Sequence, residues 1–307
     1  MPVSAHYIAT VLIWGVTWTA IRLQVESAAV DLSVFYRFVL ASAVALGGLA
    51  LVRRLPRLTR HQHGWLILQG LTLYSINFLM IYRAAEGMTS GLIAVIFSLA
   101  ALFNAINGRL FLGIQPSARI VPAVALGLTG VALLFWQDLW LGNATFAAMA
   151  FATAGTFWFS LGNVLSLKVR ELDIPLLAGN AWAMFYGALA LGIWCLATGV
   201  DWIVPTSGVF WGATLFLAIP GSILAFFSYL TVIRTLGPDK AGYATVLFPV
   251  VALGLSTWLE GFIWSGSSLA GALLALLGNY VLFRHPRIQA PATVNADAGK
   301  PPQHGTR

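Results

Sequence analysis

The chain of 307 residues is 59% hydrophobic and only 9% charged, with a mean hydropathy of +0.84. A soluble domain carries about 25% charged residues, so this sequence cannot clothe a water-exposed surface and reads as a polytopic membrane protein. The net charge of +7 sits in loops between apolar runs, where the positive-inside bias accounts for it without any nucleic acid.

A spanning helix needs about 20 mostly apolar residues. That ruler predicts ten helices, over about 5–23, 33–52, 64–84, 88–107, 118–136, 145–167, 175–197, 208–232, 240–260 and 266–284. The opening MPVSAHYIATVLIW has no basic flank and no small-residue cleavage site, and reads as a retained first helix. Glu86-Gly87 and Gly237-Pro238-Asp239 are tight turns between helices. The lone Cys195 lies in an apolar run and excludes a disulfide framework within the monomer. After Pro286 the composition turns polar, predicting a disordered tail.

One stretch occurs twice. Tyr74 to Gly113 aligns with Ala225 to Trp264 at an offset of 151 positions, which places Arg83 on Arg234, Gly91 on Gly242 and Phe97 on Phe248. A spacing that persists across two apolar segments marks a duplicated membrane unit. The fold class expected is an all-α membrane protein of ten transmembrane helices in two inverted five-helix repeats. The first repeat spans 1–141, the second 142–285, and 286–307 form a cytoplasmic tail.

Counting Lys and Arg by loop puts fourteen on one side, two (Arg22 and Arg83) on the other, and Arg37 within the second helix, which together make the 17 in the sequence. The crowded side is then cytoplasmic, with both termini on it. Five helices per half force the halves to run antiparallel, a common plan of secondary transporters with a site between the repeats. Duplication without transport, as in a scaffold or membrane enzyme, is the alternative.

Titratable groups within a membrane are rare and usually functional. All five His lie at or beyond helix ends, and no Asp or Glu falls mid-helix. A metal site, a cofactor and hydrolytic chemistry therefore find no support. Arg37, about one turn inside the second helix, is expected to snorkel to the outer interface, with Glu86 or Glu260 as partner. The other reading makes it a cation at a cavity mouth that meets a substrate carboxylate.

Aromatic and amide residues at helical spacing are the better clue. Trp14 and Trp18 share a face with Thr17, as do Tyr74, Asn77, Phe78 and Tyr82 on the third helix, Phe159 and Asn163 on the sixth, and Trp182 and Tyr186 on the seventh. With Tyr36, Trp158, Asn180, Tyr229 and Tyr243 these residues, apart from Thr17 and Tyr186, make up the expected substrate-binding set. Asn77, Asn163 and Asn180 cannot face lipid without leaving polar atoms unpaired, although joining helix to helix would satisfy them equally well. Trp65, Trp136, Trp140 and Trp202, near helix ends, fit an interfacial belt. Small residues on the fifth and tenth helices, such as Ala123 with Gly127 and Gly271 with Ala275, mark these two as scaffold. Pro249 removes a backbone bond and can hinge the ninth helix, with a softer break expected at its counterpart Ser98.

Two five-helix halves, Trp14-Gly15 in the first helix, and the small-residue runs SGLIAVIFSLAAL and AGYATVLFPVVAL resemble the drug/metabolite transporter superfamily, in particular its EamA-type exporters. The aromatic inward faces look most like the YddG-type exporters of aromatic amino acids. That resemblance implies the bacterial inner membrane, a basket of ten helices, a central cavity and alternating access. Members often carry an acid near the ends of the fourth and ninth helices. Here the ninth has Glu260 but the fourth has Arg109, which leaves Glu260 without a symmetric partner.

The expected function is export of amino acids, aromatic or bulky neutral ones, and related metabolites, uncoupled to protons because no intramembrane carboxylate is evident. Aromatic walls would hold the substrate side chain, while amides and hydroxyls would hold its ammonium and carboxylate. The partners expected are the small-molecule substrate and the lipid bilayer; a homodimer is allowed but not required. An exporter of drugs or sugar derivatives, a proton-coupled variant, a channel, and a membrane-embedded receptor or enzyme subunit are the alternatives.

Overall fold

A computed structural model describes residues 2–113, 115, 120–134, 136, 143–236 and 238–283. Every regular element among the described residues is helical. In chain order these are α1 (Val3–Val25), α2 (Val30–Leu51), α3 (Arg60–Gln69), a π segment (Gly70–Ile76), α4 (Asn77–Ala85), α5 (Ser90–Ser98), α6 (Ala100–Leu112) and α7 (Ile120–Leu134). They continue with α8 (Asn143–Arg170), α9 (Leu176–Ala197), α10 (Gly208–Ala218), a second π segment (Ile219–Leu224), α11 (Ala225–Leu236), α12 (Pro238–Leu259) and α13 (Gly266–Phe283).

Seven helical runs are long and apolar enough to cross a membrane: Val3–Val25, Val30–Leu51, Arg60–Ala85, Ser90–Leu112, Phe146–Arg170, Leu176–Ala197 and Gly208–Ile233. Three shorter apolar helices, Val121–Leu134, Leu247–Leu259 and Gly266–Gly278, fall where the fifth, ninth and tenth helices are expected. Large apolar side chains such as Leu128, Leu196 and Ile263 stand exposed on the periphery. Against lipid that exposure costs nothing, and close packing with polar satisfaction, rather than water exclusion, holds the helices together.

The local causes are readable. Thr59 and Gln62 form a capping box: the Thr59 side chain accepts from Gln62 N–H, and the Gln62 carbonyl accepts from Thr59 N–H, which fixes the start of α3. Pro220 lies at the start of the second π segment and has no N–H to give the ladder. Two residues later Ser222 Oγ donates to Leu217 O at 2.8 Å, five residues back. At the offset of 151, Gly70 of the first π segment falls on Gly221 of the second.

Of the two mid-helix breaks expected, only the one at Ser98 interrupts its helix. Helix α12 continues through Pro249, whereas the first-half run stops at Ser98 and resumes at Ala100. There Ser98 Oγ donates to Val95 O at 2.6 Å, the back-bonding by which a mid-helix Ser bends a helix.

Helix α1 packs on α10, α11 and α12, and α8 packs on α3 through α6. Helix α2 pairs with α9, α5 with α12, and α7 with α13. Two close approaches depend on glycine. A Cβ on Gly15 would lie 2.6 Å from Val251 Cβ, so Gly15 lets α1 press against α12. A Cβ on Gly271 would lie 2.4 Å from Leu134 N, and one on Gly130 2.5 Å from Ala275 N, so α7 and α13 meet backbone to backbone.

Candidate functional site

Near the middle of their helices, aromatic side chains from both halves converge. Trp14 and Trp18 of α1, Phe78 of α4, Phe97 of α5, Phe159 of α8, Phe226 of α11 and Phe248 of α12 surround a cavity of about 30 Å³, together with Thr17, Ile21, Ile81 and Arg37. That is room for about two water molecules, so the aromatic side chains fill most of the space between the helices here. No described residue of helices α7 and α13 lines it.

The rings meet at angles. Trp14 lies 4.8 Å from Tyr229 and 5.1 Å from Phe226, Trp18 lies 4.9 Å from Phe97, and Phe97 lies 4.5 Å from Phe159, measured between centroids. Tilted and edge-on contacts satisfy the ring quadrupoles and are worth about 0.5–1.5 kcal/mol each beyond area burial. Trp14 Nε1 donates to Gly221 O at 3.3 Å, tying α1 to the second π segment.

Arg37 corrects the sequence reading. It is fully buried and does not snorkel. Neither Glu86 nor Glu260 is its partner: Arg83 faces Glu86 at 3.5 Å, and Ser90 donates to Glu260 through both N–H and Oγ. Instead Arg37 Nε donates to Ser222 Oγ at 3.1 Å and Nη1 to Tyr82 OH at 3.4 Å. Its guanidinium lies 4.3 Å from the Phe78 ring centroid, a cation–π contact. Tyr82 OH in turn donates to Gln24 Oε1 at 2.7 Å, and Gln24 Nε2 donates to Thr214 Oγ1 at 2.6 Å. A buried cation is thus held by neutral oxygens and two rings, with Phe38 the second at 5.2 Å.

The other expected site residues scatter. Tyr229 packs on Trp14 behind the wall. Tyr74 meets Phe226 edge-on at 5.0 Å and donates to Asn180 Oδ1 at 3.2 Å. Asn180 lines a second cavity of about 30 Å³ with Gln69, Arg170 and Leu230. Asn77 Nδ2 donates to Leu73 O of its own helix run at 3.1 Å, and Asn163 Nδ2 faces Asn104 Oδ1 at 3.5 Å, so both join backbone and helices and neither lines the chamber. Tyr36 packs with Phe210 and Trp211, Trp158 with Phe157, and Trp182 with Tyr186 and His63, all away from the chamber. The Tyr243 side chain and Trp140 lie outside the described residues.

Phe97 and Phe248 were missed as site residues, although the repeat offset pairs them and that pairing is the signal that would have found them. Gln24 and Thr214 carried no signal of their own. A further group at one end of the bundle was also unforeseen. Asp31, buried at the start of α2, accepts from Arg83 Nη2 at 2.6 Å and from Trp194 Nε1 at 2.8 Å. Arg22 Nη1 donates to Ala85 O at 2.8 Å beside it. With the Ser90–Glu260 contact, these bonds tie α1, α2, α4, α5, α9 and α12 together at the same end.

Comparison with known proteins adds the following. Residues 5–136 and 145–284 each match the EamA-like transporter family. The chain is 29% identical to the protein named "Uncharacterized inner membrane transporter YedA" of Escherichia coli (strain K12), covering 97% of this chain and 98% of that one. It is 30% identical over 218 residues to "Protein PecM" of Dickeya dadantii (strain 3937), covering 69% of this chain and 70% of that one. It is 23% identical to the "Probable amino-acid metabolite efflux pump" of Salmonella typhimurium (strain LT2), covering 93% and 96%. A solved crystal structure shares the fold with a TM-score of 0.64 at 16% identity, over 91% of this chain and 96% of that one.

Proposed function

Because the chain belongs to the EamA-like transporter family, we propose that it is a secondary transporter of the bacterial inner membrane that exports amino acids, aromatic or bulky neutral ones, and related metabolites. The observation that carries this reading is the chamber itself, ring-lined and built from both halves of the chain. Trp14, Trp18, Phe78 and Phe159 would hold the substrate's apolar part by stacking and edge contacts.

The mechanism proposed is alternating access by two antiparallel five-helix repeats, 1–141 and 142–285, with both termini cytoplasmic. The packing supports it: α1 lies on the second-half helices α10–α12 as α8 lies on the first-half helices α3–α6, while α2–α9, α5–α12 and α7–α13 are self-matching pairs. Exchanging the halves carries these main contacts onto one another, which favours a pseudo-two-fold axis, although α1 also touches α4 and α5 without a counterpart of similar size on α8. The Asp31–Arg83 and Ser90–Glu260 contacts would form the outer gate, shut in this structure. The relative named as an amino-acid metabolite efflux pump favours amino-acid cargo.

The test is counterflow in proteoliposomes. Labelled L-phenylalanine or L-leucine should accumulate transiently against an excess of unlabelled substrate trapped inside, with no imposed proton gradient. Exchange only under a proton gradient would end the uncoupled mechanism, and exchange of cationic dyes or sugar derivatives in place of amino acids would end the cargo assignment.

A further inference from the structure

We infer that the chamber reads its cargo by a carboxylate, gripped by Arg37 and Trp18, and takes no account of an amino group, so that bulky organic monoanions are its best substrates. The inference rests on the chamber being the transport site and narrows what that site accepts.

The donors come first. Arg37 is fully buried, and its Nε and Nη1 are spent on Ser222 and Tyr82, but Nη2 has no partner among the described residues. Trp18 lines the same cavity, is 7% exposed, and its Nε1 likewise has no partner. Trp14, the other indole there, is already engaged with Gly221 O. Both side chains border one small cavity and each keeps one buried N–H without a partner; a carboxylate admitted there supplies two acceptor oxygens, and charge-assisted bonds of this kind are about twice as strong as neutral ones.

The charge balance comes second. None of the described residues that line the cavity is acidic, and its one hydroxyl, on Thr17, donates to Ile13 O at 2.8 Å. The buried carboxylate of Asp31 is committed to Arg83 and Trp194 at the helix ends. A monoanion therefore brings the counter-charge that Arg37 lacks. A zwitterion must also strip water from an ammonium that finds no carboxylate and lies near a like charge in a low-dielectric site. The rings can offer that ammonium a cation–π contact, but the Phe78 face is already taken by Arg37.

The experiment uses the full chain in detergent and in proteoliposomes, with three ligands that share one ring: L-phenylalanine, its deaminated analogue 3-phenylpropionate, and its decarboxylated analogue phenethylamine. The inference expects 3-phenylpropionate to raise Tm and to compete in counterflow at least as well as phenylalanine, with phenethylamine doing neither. R37Q should weaken the acid by about tenfold or more, as loss of a charged hydrogen bond does, with R37K restoring part of it. W18F keeps the charge and loses one donor, and should weaken the acid by a smaller factor, so the inference stays testable if R37Q does not fold. Competition by phenethylamine equal to that of 3-phenylpropionate overturns the inference, as does no effect of 3-phenylpropionate on Tm or exchange, or unchanged acid binding in R37Q. A Tm rise with 3-phenylpropionate and no movement of phenylalanine supports it while removing amino acids as cargo.

Discussion

Phe97 and Phe248, 151 positions apart in the sequence, meet in the chamber wall with ring centroids 6.2 Å apart. Each also touches Trp18, at 4.9 and 6.3 Å. One position of the repeat thus supplies two neighbouring parts of one surface. F97L and F248L should slow counterflow of an aromatic substrate by similar factors. The double variant should depart from the product of the two by a coupling of about 0.5–3 kcal/mol, as expected of residues in contact. Strictly multiplicative effects would show that the two rings act separately.

The Asp31–Arg83 pair is asymmetric, since the Asp31 side chain is 6% exposed and that of Arg83 is 35%. D31N removes the charge from the buried partner and leaves Arg83 free to reach solvent. R83Q leaves a buried carboxylate with only the Trp194 indole. R83Q should therefore lower Tm more than D31N, by roughly 1–3 kcal/mol in stability. If the pair is part of the outer gate, D31N should also speed labelling of T17C by an impermeant thiol reagent added outside, in a C195A background. Unchanged labelling would remove the pair from the gate.

Glycines on two helix pairs should respond with opposite sign. A Cβ on Gly271 or Gly130 meets backbone atoms at 2.4–2.5 Å, so G271A and G130A must push α7 and α13 apart and lose about 1–3 kcal/mol. A Cβ on Gly48 meets nothing within 4 Å. G48A should be neutral or stabilising by up to about 1 kcal/mol through helix propensity alone. Thermal unfolding in one detergent compares the three.

The Gln24–Tyr82–Arg37 chain makes Y82F informative. It strips the acceptor from Arg37 Nη1 and the donor from Gln24 Oε1 without altering the ring. Two buried groups are then unsatisfied, at about 1–3 kcal/mol each. A drop in Tm is expected, with a larger loss of exchange as Arg37 loses its orientation. Wild-type Tm with reduced exchange would mean that water replaces the hydroxyl.

The all-helical, membrane-spanning character and the positions of the apolar runs were legible because a membrane imposes one length and one polarity on every crossing, and seven of those runs are long enough to span while three are shorter. Trp14, Trp18, Phe78 and Phe159 were legible because inward aromatic faces keep helical spacing. Arg37 was misread for a physical reason. Its distance from a helix end is compatible with snorkelling, and only the partner helices decide whether a long side chain runs outward or inward. Those partners, Ser222 and Tyr82, belong to different helices and have no sequence relation to position 37. Asn77 and Asn163 show the same limit: a buried amide satisfies itself on its own backbone or on a neighbouring helix as readily as on a cavity. The stronger break was expected at Pro249 because proline is conspicuous in a sequence, but the softer one expected at Ser98 is the one that interrupts the helix.

The π segment at Ile219–Leu224 determines which way the last stretch of that rod points. Each residue of an α-helix advances the facing direction by about 100°. Removing one residue to wind the segment back into regular helix would swing Phe226 and Tyr229 away from Trp14 and free the Gly221 carbonyl that its indole now holds. A single surplus link in the backbone, more than any side chain, decides whether those two rings look inward or toward the lipid.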